Sequence, residues 1–135
     1  MTATLVQKSK ALSCGFDGFI DFLHDQEAGP STLSPKRFGD VLKIDLQTLA
    51  TQAHVHRNTI TRAPASESVQ KYLREALRVL RAANDLSGDV TRAIFWYRNE
   101  PLPPFRYKTA EQLVSEGRTE DVLRYVESLE AGAAG

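Results

Sequence analysis

An all-α fold is predicted by three features of this sequence: apolar residues recur at helical spacing, capping residues precede each such run, and glycine or proline follows it. The longest stripe, Val69, Leu73, Ala76, Leu77, Leu80 and Ala83, would line one side of a single helix. Start signals stand at Ser34-Pro35, Asp45, Asp89 and Thr109. Stop signals stand at Gly29-Pro30, Gly88 and Gly117. A chain of 135 residues can bury enough apolar surface for one domain, or for two very small modules sharing a core. Hydrophobic content of 41% and charged content of 25% are ordinary for a soluble globular protein. No apolar run approaches the ~18 residues of a membrane span, and the N-terminus lacks a basic stretch followed by an apolar one. The expectation is a cytoplasmic protein with no membrane partner.

Residues 1–34 begin polar and then place Phe16, Phe19, Ile20 and Leu23 at the spacing of one short helical stripe, stopped by Gly29-Pro30. They are expected to form a loosely attached arm. Cys14 is the only cysteine, which excludes an internal disulfide and leaves no partner spaced for a structural zinc site. Ser34 as N-cap and Pro35 in the first turn open the next helix, with Phe38, Val41 and Leu42 facing inward. Asp45 then caps a helix with Leu46, Leu49, Ala50 and Ala53 on one side. A turn at His54 leads to a further segment in which Val55, Ile60 and Ala63 continue the apolar spacing.

Residues 66–135 carry the remaining helices. Glu67 sits in the first turn of the long helix, near the positive end of its dipole, and Lys71, Arg74, Glu75, Arg78 and Arg81 lie mostly opposite its apolar stripe. After Ser87-Gly88, Asp89 caps a helix running into Ile94, Phe95, Trp96 and Tyr97. The stretch Ala93–Phe105 holds the only Trp and three of the six prolines, so a helix end followed by a rigid extended crossing is expected, with Phe95 and Trp96 anchoring a core. Thr109 and Gln112 form a capping box for a short helix bearing Leu113 and Val114, ended by Gly117. Thr119 is expected to cap a last helix with Val122, Leu123, Val126 and Leu129 on its inner face.

The formal net charge of zero hides an uneven distribution. Residues 35–78 carry eight Lys and Arg against four acids, whereas residues 1–34 and 79–135 are each net negative by two. A basic middle between acidic flanks points to a polyanion partner for the middle alone. His54 and His56 are two positions apart and would diverge on a helix, so they cannot share a metal. A glycine-rich phosphate loop, a nucleophile elbow and an HExxH pair are all lacking. No catalytic site, metal or cofactor is expected.

The run DLQTLATQAHVHRNTITRAP, Asp45 to Pro64, resembles the helix-turn-helix of the Xre-like repressors, whose second helix enters the DNA major groove. His56, Arg57, Asn58, Thr61 and Arg62 would then face outward, a set suited to base edges and phosphates. The turn residue in that pattern is commonly Gly because φ is positive there. Its replacement by His54 leads to the expectation of a distorted turn.

A tryptophan-bearing helix end, a Pro-containing crossing, the short AEQLVSEG helix and then TEDVLRYVESLEAG are similar to the C-terminal toxin-binding domain of the MbcA/ParS/Xre antitoxin family. The departure is Leu102–Tyr107, where that family more often has a glycine-bearing loop. The resemblance covers a helix-turn-helix module (35–65) and a toxin-binding helical domain (66–135), and leaves the arm (1–34) uncovered. It implies an antitoxin that occludes the active site of a RES-domain toxin, encoded by the neighbouring gene, which degrades NAD or ADP-ribosylates a target. Toxins of this type hold the NAD pyrophosphate in a positively charged pocket. Glu116, Glu120, Asp121, Glu127 and Glu130, with Arg124, would supply the matching charge and ion pairs. The resemblance further implies a homodimer within a hetero-oligomer, autoregulating through an inverted repeat in operator DNA. The alternatives are a plain helix-turn-helix transcriptional regulator that uses residues 66–135 for dimerisation or effector binding, and a small structural or adaptor helical protein that uses neither DNA nor toxin.

Overall fold

The computed structural model describes residues 12, 15–24, 29 and 31–134. Among them it is all-helical, with α1 Gly15–Leu23, α2 Pro35–Leu42, α3 Leu46–Ala53, α4 Arg57–Arg62, α5 Glu67–Ser87, α6 Val90–Asn99, a 3₁₀ turn Pro103–Phe105, α7 Ala110–Ser115 and α8 Thr119–Ala134. None of these helices is long and apolar enough to cross a membrane. The chain divides into two compact units, Met1–Leu73 and Arg74–Gly135, so the division expected before α5 falls inside it.

In the first unit the caps form as the sequence dictates. Ser34 Oγ accepts from Arg37 N–H at 3.2 Å, and Asp45 accepts from Thr48 N–H at 2.6 Å. The core joins Phe38, Val41 and Leu42 of α2 to Leu49 and Ala50 of α3, Ile60 of α4, and Val69 and Leu73 of α5. Ala63, expected to continue the apolar face, is exposed, and Val55 is half-buried. Gly39 permits a close backbone approach: a Cβ there would lie 2.6 Å from the Ile44 carbonyl oxygen, and the Gly39 carbonyl accepts from Ile44 N–H at 2.8 Å.

The loose attachment expected for the N-terminal arm does not hold for its described part. Phe16, Phe19, Phe22 and Leu23 of α1 are buried, with Phe22 in the place expected for Ile20. Phe16 and Phe19 meet edge to face at 5.7 Å. The Arg37 guanidinium donates to the Phe22 carbonyl at 2.9 Å and lies 5.2 Å from the Phe22 ring centroid. Buried Gln70 on α5 then ties down the segment after the arm. Its Oε1 accepts from Leu33 N–H at 2.9 Å, and its Nε2 donates to the carbonyls of Leu33 and Pro64, each at 2.8 Å. One amide thus satisfies three backbone groups that would otherwise be left without a partner near the core. Pro30 and residues 25–28 lie outside the described residues.

In the second unit Ala76, Leu77, Val79, Leu80 and Ala83 of α5 are buried, as are Val90, Ala93 and Tyr97 of α6, Leu113 and Val114 of α7, and Val122 and Val126 of α8. The expected anchoring by Phe95 and Trp96 is corrected here. Phe95 is 65% exposed and Tyr97 is fully buried, while Trp96 is half-buried. Three consecutive aromatics fan around a helix at ~100° each, so one can follow the inward stripe, and Val90-Ala93-Tyr97 sets that stripe. Thr109 and Gln112 form the full capping box. Thr119 is the first residue of α8 and buried rather than its cap, and the Arg118 carbonyl accepts the first bond, from Val122 N–H at 3.2 Å.

Candidate functional site

The outward face of α4 is the first candidate. α3 ends at His54, whose φ of 58° and ψ of 39° are left-handed, and Val55 N–H returns to the Ala50 carbonyl at 3.0 Å. The turn is therefore regular, contrary to the distortion expected of a histidine there. The conformation costs a residue with a Cβ about 1–2 kcal/mol relative to the right-handed helical region. His56 occupies the N-cap of α4, its Nδ1 accepting weakly from Asn58 N–H at 3.5 Å. Ile60 points to the core, which turns His56, Arg57, Asn58, Thr61 and Arg62 to solvent; all five are exposed. Arg57 and Arg62 form no salt bridge among the described residues. The hydrogen bond from Thr48 is the main reason that the Asp45 carboxyl titrates below its ordinary 3.8, and the positive charge of Arg57 adds a smaller pull.

A small, largely apolar groove of about 250 Å³ lies beside α4, lined by Leu46, Ile60 and Pro64 with Lys36 and Thr61. No group of three His, Cys, Asp or Glu that could hold a metal occurs among the described residues.

The second candidate, the acidic set of α7 and α8, is placed differently from expectation. Glu116 receives the Lys108 ammonium at 2.8 and 2.9 Å, and Glu120 pairs with Arg78 at 2.8 Å. Asp121 holds Arg118 at 3.0 Å and Arg124 at 3.7 Å. Glu75, followed by Glu120, raises the Arg78 pKa above its ordinary value by stabilising the guanidinium. Four of the six expected contact residues are thus in ion pairs within the chain. Glu127 and Glu130 are exposed and in no salt bridge among the described residues.

Between α6 and α7 the stretch expected to be an extended crossing closes into a loop. Buried Leu102 accepts from Phe105 N–H at 2.9 Å and Tyr107 N–H at 3.0 Å, and donates to the Lys108 carbonyl at 3.0 Å. Arg106 and Tyr107 both have positive φ, 58° and 66°. The Arg118 guanidinium stacks 5.1 Å from the Phe105 ring centroid, and that ring meets Tyr125 edge to face at 5.8 Å. Charge and periodicity do not mark Arg106 and Tyr107; the sequence signals there are the Pro-Pro pair, which rigidifies whatever follows it, and the departure from a glycine-bearing loop at Leu102–Tyr107.

Comparison with family models, with curated proteins and with solved structures gave no match for this chain.

Proposed function

We propose that the chain is an antitoxin that binds and neutralises a RES-domain toxin encoded by the neighbouring gene, occluding a site where that toxin degrades NAD or transfers ADP-ribose, and that it represses its own operon through α4. The observation that carries the DNA-binding part is the exposure of His56, Arg57, Asn58, Thr61 and Arg62 on one short helix set off by a regular turn. Arg and Asn are the residue types that read purine edges bidentately, and Thr and His suit phosphates or bases. The toxin-binding part rests on the order of elements after α5, which follows the C-terminal pattern of the MbcA/ParS/Xre antitoxins, and on Glu127 and Glu130, whose carboxylates are exposed near the end of α8.

The test has two arms. Co-expressed with the adjacent RES-type product, the chain should copurify with it, and a chain lacking everything from Tyr125 onward should not. For DNA, binding to the region upstream of the gene should weaken linearly with the logarithm of salt, and Arg57→Ala/Arg62→Ala should lower that slope by about 2 if both cations meet phosphates, or by less if one reads a base. Equal affinity for the upstream region and for unrelated DNA would remove the repressor role.

The plain helix-turn-helix regulator is favoured by one observation: Glu116, Glu120 and Asp121 are already engaged by Lys108, Arg78 and Arg118, which reduces the charge available to a partner. Sequence-specific DNA binding without toxin binding would establish that reading.

A further inference from the structure

We infer that the loop Pro103–Tyr107 is a preformed anchor for a protein partner, with the Arg106 guanidinium taking a partner carboxylate and the Tyr107 ring entering an apolar slot beside it; this rests on the reading that the second unit binds a protein. Three observations meet at this loop. The first is charge accounting in the second unit. Arg78, Arg92, Arg98, Lys108, Arg118 and Arg124 each lie within 4.0 Å of a carboxylate. Arg74 and Arg81 have interactions of their own. Arg106 is exposed and is the cation of this unit whose side chain no described residue engages.

The second observation is exposure next to that charge. Tyr107 is 68% exposed, the most exposed of the large apolar side chains among the described residues. Tyr and Arg are the side chains most enriched among residues that dominate protein–protein binding, and an Arg meets a carboxylate through a two-pronged fork that a lysine lacks. The third is backbone conformation. Arg106 and Tyr107 occupy consecutive left-handed positions that glycine would fill without strain, yet the chain places its two large side chains there. Leu102 fixes the loop by three backbone hydrogen bonds, and Pro103 and Pro104 restrict the chain before Arg106. A loop already held in one shape loses little conformational entropy on binding.

The partner is a protein rather than a nucleic acid. Residues 74–135 carry nine Lys and Arg against ten Asp and Glu, so the unit offers no net positive field to a polyanion, and the nearest cations in sequence, Lys108 and Arg98, are each paired with an acid. A lone guanidinium beside an exposed phenol matches a single carboxylate at the edge of an apolar depression.

Calorimetric titration of the full chain with the purified product of the adjacent RES-type reading frame tests this. Arg106→Gly/Tyr107→Gly removes both side chains while giving the loop the residue its backbone prefers, so the thermal midpoint should hold or rise as affinity falls at least about 30-fold. Arg106→Glu alone, which leaves the backbone preference of a non-glycine residue, should cost at least tenfold and serves if the double variant unfolds. Wild-type binding with both variants within about threefold of it overturns the anchor and leaves the proposed function standing. Failure of the wild-type chain to bind at all overturns both. Loss of DNA affinity with toxin affinity intact overturns the assignment to a protein partner.

Discussion

The two units handle their charges in opposite ways. In the first, the Ser34 and Asp45 caps, the Arg37 guanidinium and the Gln70 amide satisfy backbone groups around an aliphatic and aromatic core, while Arg57 and Arg62 stand exposed on α4 outside any salt bridge among the described residues. In the second, carboxylates and cations on α5, α8 and the segments flanking α7 bind each other, and the Arg106 side chain is left over. An exposed charge is therefore not the same as an available one. The acidic face of α8 looks as inviting in the sequence as the basic face of α4, but half of it, Glu120 and Asp121, is occupied before a partner arrives.

The largest effect that would break the contrast is expected at Gln70. Gln70→Ala leaves the Leu33 N–H and carbonyl and the Pro64 carbonyl without their partner, and should destabilise the first unit by about 2–4 kcal/mol, read by urea unfolding. A change below about 0.5 kcal/mol would mean that water replaces the amide at no cost. Next is Glu111→Gln in the second unit. The Arg98–Glu111 pair at 2.8 Å has side chains 28% and 10% exposed, so its loss should cost about 1–2 kcal/mol, whereas Glu120→Gln, at a far more exposed pair, should cost under about 0.5 kcal/mol. Equal losses at the two sites would show that burial does not govern these pairs.

Smaller and opposite in sign is His54→Gly. Releasing a left-handed histidine while adding backbone freedom to the unfolded chain should stabilise by about 0.5–1 kcal/mol, with DNA affinity unchanged. The smallest effect concerns Asp45. Its carboxyl is held below 3.8 in the folded chain, so the stability it contributes is present above that value and is lost as pH falls through its folded pKa. Asp45→Asn, which keeps a capping oxygen but does not titrate, should therefore flatten the acid limb of the stability profile slightly below about pH 4. An unchanged profile would assign no linkage to this cap.

Much of the fold was legible in the sequence because caps and stripes are local. Ser34, Asp45, Asp89 and the Thr109-Gln112 box stand where helices begin, and the Val69–Ala83 stripe is buried throughout. Tertiary choices were not legible. Nothing local distinguishes Phe95 from Tyr97 until the register of Val90 and Ala93 is set, and nothing marks Gln70 as a bridge to Leu33, 37 residues away. The α4 face was readable because Ile60 alone decides which way that short helix turns. The acidic face was readable as exposed but not as paired, since Glu120 meets Arg78 across a long sequence separation. The left-handed conformations of Arg106 and Tyr107 follow from closure of the loop on Leu102, which no residue preference announces.

The central claim is that one chain carries two separable activities, repression through α4 and neutralisation through the second unit. Cells carrying the adjacent RES-type frame under an inducible promoter, together with a reporter driven by the upstream region, measure both at once. The wild-type chain should restore growth and silence the reporter, and Arg57→Ala/Arg62→Ala should restore growth while the reporter stays on. Growth arrest that the wild-type chain does not relieve would contradict the account.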